Sequence, residues 1–402
     1  MILSGSRNKM RPPQFRISRL PQKPGCRWIC VTIIVAGFSL ITGSTHGQDA
    51  GRRTADGTRV VSPVILGELE WQEVEAAVDK GLTYLSQQQR KNGAFQQVAL
   101  NDPGISALCV LAFMSRGHLP GQGPYGEKLE KSVDFLLGCQ QVDGMLSQVR
   151  HMYHSQYNHA ICALALTEFY GMSRPTDEAK YRRIIEKALE FTGHRYSQPK
   201  KFADDQGSWR YLQRRANSDG DLSMTSWSVM FLRSAKNTGF EVDNSLIEEA
   251  LAYMKRLYDP QRKTFRYENH PEEPIEKNYP RGMAGAGLLS LSLAGEHHSE
   301  IAKNAANYIL KQPFDQFGRP NRSEEYPCYG AFYCSHGMFQ MGGEYWKEFY
   351  PQLVKSVLKA QRADGSWMMQ QGMDVQYGQS YTTALTILAL TPPYQMLPIF
   401  QR

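Results

Sequence analysis

Several familiar chemistries are missing from this 402-residue chain. It has no G-x-S-x-G elbow, no glycine-rich phosphate loop and no H-E-x-x-H, which excludes the common serine-hydrolase, nucleotide-binding and zinc-protease motifs. Long apolar runs are absent too. The most apolar stretch, Trp28 to Ile41, carries no charge but falls short of the roughly 20 residues a membrane helix needs. Seven Lys and Arg residues precede it, and the small or polar residues Thr42 to Thr45 follow at once, which is the layout of a secretory signal. Thr45 and Gly47 place cleavage after Gly47, so residues 1–47 are expected to be removed. An uncleaved anchor holding the same domain outside the cytoplasm is the alternative. Either way the expected location is periplasmic or extracellular, with no stable membrane span once the signal is cut.

Excess charge is a third absence. The signal holds seven basic residues and no acidic ones, which leaves 39 basic against 39 acidic in the mature chain. The formal +7 of the whole sequence therefore reports the signal, and no electrostatic argument for a nucleic-acid partner survives. Cysteine is sparse as well. Cys109, Cys139, Cys162, Cys328 and Cys334 remain after residue 47, an odd number that leaves at least one thiol unbridged. Cys109 and Cys162 sit in apolar helical runs and read as core. Cys328 and Cys334 alone are close enough in sequence to raise the question of a disulfide.

What the chain does have is a repeat. A helical pattern runs from Ala76 to Gln89 and ends in Asn92-Gly93-Ala94-Phe95, and Val133 to Gln141 ends in Asp143-Gly144-Met145-Leu146. A third begins at Ile184 and ends in Gln206-Gly207-Ser208-Trp209. Weaker versions end near Phe265 and Phe317, and a last one ends in Asp364-Gly365-Ser366-Trp367. The closing positions 95, 146, 209, 265, 317 and 367 are 51, 63, 56, 52 and 50 residues apart. Between the turns lie segments rich in Ala, Ser, Gly and Leu on nearly all faces, such as Met283 to Ala294 and Tyr381 to Leu390. The first set is amphipathic and should face water, whereas the second is apolar all round and should be buried on both sides. Six such hairpins make two concentric helical layers. An open array would leave two apolar ends without a polar capping repeat, so closure into an all-α (α/α)6 toroid is expected over 70–402, after a flexible segment at 48–69. The glycine lets the chain leave each helix, the aromatic folds back over the helix end, and the preceding Gln can bond helix-end carbonyls.

These turns resemble the repeat of the squalene-hopene cyclase and prenyltransferase superfamily, which runs Gly, aromatic, Gln, Gly-x-Trp. The closest matches are Lys80 to Leu85 continuing through Gln89 to Phe95, and Lys359 to Trp367. The resemblance covers about 70–400 and implies an α/α toroid around an apolar cavity. In that superfamily cyclases protonate polyprenes, and prenyltransferases use Zn with a prenyl diphosphate. The full cyclases have a second toroid, so this chain corresponds to one of their two barrels.

The cyclase acid is an Asp-x-Asp-Asp-Thr stretch at the head of an inner helix. In the comparable place stands Ser218-Asp219-Gly220-Asp221-Leu222. With Asp221 matched to the last Asp, Gly220 replaces the penultimate one and Leu222 replaces the Thr. Asp219 and Asp221 thus have two readings, catalytic acid or helix cap. The prenyltransferase Zn site needs an Asp-x-Cys, which is absent, and no DDxxD motif supports diphosphate ionisation. No cofactor is expected. Cys328, Cys334 and His336 carry ligand chemistry without familiar metal spacing, as do His151, His154 and His159; packing is the alternative for both groups.

Aromatics gather at the heads of the inner segments. Tyr153, Tyr157, Trp227, Tyr329, Phe332, Tyr333 and Tyr381, with His336, are the expected cavity lining, with Phe339 and Tyr377 nearby. Aromatic faces suit a carbocation, and they suit plain packing equally. The leading expectation is a cyclase-like toroid that binds, and by extension cyclises, an isoprenoid or other extended apolar molecule. A non-catalytic exported scaffold with a protein partner is the second reading. A third is a carbohydrate-active toroid, which would recruit Glu268, Glu272, Glu273 and Glu276 as its carboxylates.

Overall fold

The computed structural model describes residues 65–95, 102–173, 178–213, 218–271, 275–317, 326–369 and 372–402. The expected signal, nearly all of the segment before residue 70, Glu272, Glu273 and the Glu276 side chain lie outside these described residues. Twelve α-helices run in sequence through them: α1 (Glu68–Gln88), α2 (Asp102–Ser115), α3 (Gly126–Gly138), α4 (Ser155–Ser173), α5 (Glu178–Tyr196), α6 (Leu222–Asn237), α7 (Asn244–Arg256), α8 (Arg281–Leu293), α9 (Glu300–Leu310), α10 (Pro327–Met341), α11 (Gly343–Ala360) and α12 (Gly378–Leu390). Among the described residues the only sheet is a hairpin of two short strands, β1 (Tyr258–Asp259) and β2 (Thr264–Phe265).

The odd-numbered helices are amphipathic. In α1 the buried positions include Val74, Ala77, Val78, Leu82 and Leu85, spaced to form one stripe. The even-numbered helices are buried on all faces, as in α8 from Arg281 to Leu291 and α12 from Ser380 to Leu390. Each even helix packs on the next, and α12 packs back on α2. The toroid is therefore closed, with six inner and six outer helices among the described residues.

The repeated turn is what joins one hairpin to the next. Gln89, Gln140 and Gln361 each donate through Nε2 to a backbone carbonyl in the outer helix of the following hairpin: Lys128 O at 2.6 Å, Ile184 O at 2.7 Å and Ala77 O at 2.8 Å. The sequence suggests helix-end carbonyls as their acceptors; the partners are instead carbonyls inside the neighbouring outer helix. The last of the three bonds links α11 to α1 and so helps close the ring. Gly365 has φ +88°, and a Cβ there would lie 2.5 Å from the carbonyl oxygen of Lys80 in α1. Both its conformation and its closeness to α1 require glycine.

In four of the hairpins the residue that closes the turn is fixed from the inner layer, whereas in the fifth Phe317 N–H donates to Ser356 Oγ of the outer helix α11 at 3.0 Å. The backbone N–H groups of Phe95, Trp209 and Trp367 donate to Ser106 Oγ, Thr225 Oγ1 and Thr383 Oγ1 at 3.0, 3.1 and 3.1 Å. In the second hairpin Leu146 N–H donates to His159 Nδ1 at 3.1 Å. The fourth turn departs from the pattern, since β1 and β2 form it and Lys263 takes the left-handed position at φ 56°.

The chain's end crosses the bore. Its last 3-10 turn, Pro398–Phe400, packs on α4 and α6, and Phe400 stacks on His336 of α10 with ring centroids 3.9 Å apart. Gln340 Nε2 holds the Phe400 carbonyl at 2.8 Å. Because α4 and α10 stand on opposite sides of a six-membered ring, this segment forms a floor.

Candidate functional site

At the end where the inner helices begin, the ring holds a cavity of about 1250 Å³, ample for a ligand of several sugar rings or a folded hydrocarbon. Every inner helix contributes from its first turns, for example Ile105, Tyr157, Ser223, Met283, Tyr329 and Tyr381. The wall is dominated by tyrosine. Nine tyrosines line it, against two phenylalanines and one tryptophan. Asn158, Glu268 and Arg281 add polar groups.

The hydroxyls are ordered by one another. Trp227 Nε1 donates to the Tyr329 hydroxyl at 2.7 Å, Tyr329 lies 2.6 Å from Ser223 Oγ, and Ser223 lies 2.9 Å from the Tyr157 hydroxyl. On the next stretch of wall the hydroxyls of Tyr211 and Tyr267 meet at 2.7 Å.

Beside them sits a buried charged cluster. Arg210 Nη1 is 2.6 Å from Glu268 Oε2 and 3.6 Å from Asp221 Oδ2, an ion-pair approach without hydrogen-bond alignment. The same nitrogen donates to Gly220 O at 2.9 Å. The guanidinium also lies over the rings of Tyr211 and Tyr267, at 5.1 and 5.7 Å, a cation–π arrangement that holds both ring planes. Glu268 faces the cavity, while Asp221 lies behind it. Asp221 is the N-cap of α6, accepting from Met224 N–H through Oδ1 at 2.7 Å. Burial raises its pKa to about 6, with Arg210 opposing the rise.

Of the expected lining residues, Tyr157, Trp227, Tyr329 and Tyr381 face the cavity, as does Tyr377. Phe332 and Tyr333 lie in the wall, Phe332 stacked on Trp227 with ring centroids 5.3 Å apart and Tyr333 edge-on to both. His336 belongs to the floor, where burial lowers its pKa to about 3. Tyr153 stands outside the cavity, 39% exposed and edge-on to Tyr211. Phe339 packs edge-on against Trp346 of α11. Asp219 also lies away from the cavity, because its Oδ2 accepts from Lys201 N–H at 2.6 Å and its own N–H donates to Asp205.

The structure does not assemble the two suggested metal sites. Cys334 donates to Arg281 O, Cys328 accepts from Thr386, and both stand as thiols instead of forming a disulfide. His336 faces Phe400. His159 is used up by Leu146 N–H and by Thr192 Oγ1 at 2.8 Å, and burial lowers its pKa to about 3. His151 and His154 stack on each other near the mouth. Among the described residues no group of three or more His, Cys, Asp and Glu side chains is placed to hold a metal, and no helix is long and apolar enough to cross a membrane.

Sequence reading misses Arg210, Tyr211, Ser223 and Tyr267. They lie on turn segments and at one helix start, and only the folded ring brings Arg210 to Glu268, Tyr211 to Tyr267, and Ser223 to Tyr157 and Tyr329.

No protein-family model matches the sequence, and no curated protein matches it. Solved structures do match in fold. A GH76 α-mannanase of Bacteroides thetaiotaomicron superposes with a TM-score of 0.56 at 11% identity, over 79% of this chain and 94% of its own. A sugar epimerase from a ruminal bacterium gives 0.55 at 13%, over 80% and 98%. A type II terpene cyclase from Scytonema gives 0.52 at 12%, over 81% and 100%. The chain has the α/α toroid fold that these enzymes share.

Proposed function

We propose that the cup binds and transforms a carbohydrate, with Glu268 as its acid–base group. The observation that carries this reading is the composition of the wall, nine tyrosines with a cavity-facing carboxylate fixed on a buried arginine. A sugar ring presents C–H faces that stack on aromatic planes and hydroxyls that bond to phenol, amide and carboxylate edges. An alkyl chain brings no hydrogen bond to such a wall, and each polar group it desolvates without a partner is penalised by roughly 1 to 3 kcal/mol.

The same geometry weakens the isoprenoid reading. An acid that protonates an unactivated alkene must meet the substrate in its neutral form. Asp221 instead caps α6, lies behind the wall and sits 3.6 Å from a guanidinium that favours its anion. The scaffold reading leaves the open cavity without a purpose. The fold itself is neutral between these readings, since the similar structures include an α-mannanase and a terpene cyclase.

Glu268 has the chemistry for the role. Arg210 holds its carboxylate at the cavity surface, where it can accept a proton from a ligand and return one. The reading includes export, so the ligand would be met outside the cytoplasm; N-terminal sequencing of the product recovered there should begin at Gln48. The functional test incubates the mature protein with neutral and uronic-acid oligosaccharides, and in parallel with squalene and polyprenols, and analyses products by mass spectrometry. A saccharide product lost in Glu268→Gln with folding intact is the expected result. A cyclised polyprene with no change in any saccharide would overturn it.

A further inference from the structure

Three hydroxyls and one indole form a single chain in the wall: Trp227 Nε1, Tyr329, Ser223 and Tyr157, with successive contacts of 2.7, 2.6 and 2.9 Å. Protons can be counted along it. The indole N–H can only donate and each hydroxyl has one proton, so the chain holds four protons and three contacts consume three of them. One proton is left over. A contact to Tyr333 at 3.4 Å is too long for a normal O–H···O bond and does not compete with the 2.6 Å contact to Ser223.

Three arrangements satisfy all three contacts. In one, Tyr329 and Tyr157 both donate to Ser223, whose oxygen accepts twice and whose own proton is the spare. The remaining two order the chain head to tail. In the first of these, Tyr329 donates to Ser223, Ser223 donates to Tyr157, and the spare proton is on Tyr157. In the other, Tyr157 donates to Ser223 and Ser223 to Tyr329, whose oxygen then accepts twice, and the spare proton is on Tyr329. The two head-to-tail arrangements differ only by rotation of three hydroxyls. Tyr157, Ser223 and Tyr329 all line the cavity, so the spare proton faces the ligand in every arrangement.

We infer that Tyr157, Ser223 and Tyr329 form a proton relay that couples two points of a bound saccharide, an assignment that rests on the carbohydrate reading of the cup. The step balances. Tyr157 gives its proton to a ligand oxygen or carbon, Ser223 passes its own to Tyr157, Tyr329 passes its own to Ser223, and the ligand returns one to Tyr329. One O–H bond breaks and one forms at each hydroxyl, and nothing is oxidised. Tyr157 and Tyr329 touch the ligand, whereas Ser223 is a positioning residue that couples them. Such a relay serves reactions that move a proton from one position of a sugar to another, with Glu268 available for a separate proton.

The test uses the mature full chain without ligand and reads the Trp227 indole N–H resonance, assigned with Trp227→Phe. Tyr157→Phe leaves the indole's direct partner in place, so a packing role for Ser223 predicts no response. The relay predicts that Tyr157→Phe shifts the resonance in the native background, has no effect in Ser223→Ala, and shifts it again in Ser223→Thr. An equal response in the native and Ser223→Ala backgrounds, including none in either, overturns the relay. Circular dichroism melting confirms folding, and Ser223→Cys replaces Ser223→Ala should the latter not fold.

A second arm measures saccharide affinity. Tyr157→Phe and Tyr329→Phe should each weaken binding roughly tenfold. Their double variant should be no weaker in the native background and roughly a hundredfold weaker in Ser223→Ala; simple additivity in both backgrounds contradicts the relay. If no saccharide binds at all, the carbohydrate reading falls and the indole cycle still decides the relay.

Discussion

The two ends of the bore are built from the same six inner helices yet are filled in opposite ways. At the mouth the helix heads supply tyrosine, serine and asparagine around about 1250 Å³ of open space. At the floor, the chain's own Leu397, Ile399 and Phe400 fill the space between the helices, each about 3% exposed. The difference teaches where selection for stability and for a ligand can be separated in a toroid. A floor closed from within lets the mouth stay open, because the ring no longer depends on packing along its whole length. Substitutions at the floor should therefore unfold the protein, and substitutions at the mouth should change what it binds.

The largest expected effect is at Phe400, which stacks on His336 and packs against Phe332. Phe400→Ala should lower the unfolding free energy in urea by about 4 kcal/mol while leaving ligand affinity nearly unchanged. Loss of affinity with stability preserved would reverse the comparison.

Glu168 gives the floor a pH dependence. Its carboxylate accepts from Ser234 Oγ at 2.5 Å and from Ile399 N–H at 3.1 Å. Burial outweighs both bonds and raises its pKa from 4.5 to about 7. A carboxyl whose folded pKa is raised adds stability that is complete below the unfolded value and lost as pH rises through the folded value. Native protein should therefore lose about 3 kcal/mol relative to Glu168→Gln between pH 4.5 and pH 8, read from urea midpoints across that range. Asp221 has the same sign over a lower window, up to about pH 6, and cancels in the difference because both proteins keep it.

At the mouth the expectation inverts. Tyr157→Phe removes a hydroxyl and keeps the ring, so stability should change by less than about 1 kcal/mol while saccharide affinity falls. A large loss of stability would mean that the wall is core and not a site. The smallest effect is at Lys263, in the hairpin that leads to Tyr267 and Glu268. Lys263→Gly relieves a left-handed backbone at φ 56° and should raise stability by about 0.5 to 1 kcal/mol, seen as a higher melting temperature.

How legible each region is in the sequence follows from how local its physics is. The toroid is readable because Gly, Gln and aromatic residues recur at a near-constant interval, and because inner segments such as Met283 to Ala294 lack a polar face. The cap at Asp221 is readable for the same reason, since an acid just before a helix has a local use. The floor is not, because Phe400 finds His336 from 64 residues away in sequence. The site is only half readable. Tyr157, Trp227, Tyr329 and Tyr381 stand at helix heads and can be named in advance, whereas Phe332, Tyr333 and His336 share those helices but project into the wall and floor. Arg210 directly follows the Gln206 to Trp209 turn, whose repeat does not extend to it, and its meeting with Glu268 depends on the fourth hairpin. Glu268 stands in the sequence as one of four acids near a proline-rich loop, and only its contact with Arg210 and its place in the cavity wall distinguish it.

The most direct measurement is a titration of the mature protein, followed through Trp227 fluorescence against a Trp227→Phe control, with oligosaccharides in one series and squalene and polyprenols in another. Saturable binding of a saccharide, weakened in Glu268→Gln and Tyr157→Phe but retained in Lys263→Gly, is the expected result. Saturable binding of a polyprene that no saccharide displaces, unaffected by loss of the Glu268 carboxylate, would contradict it.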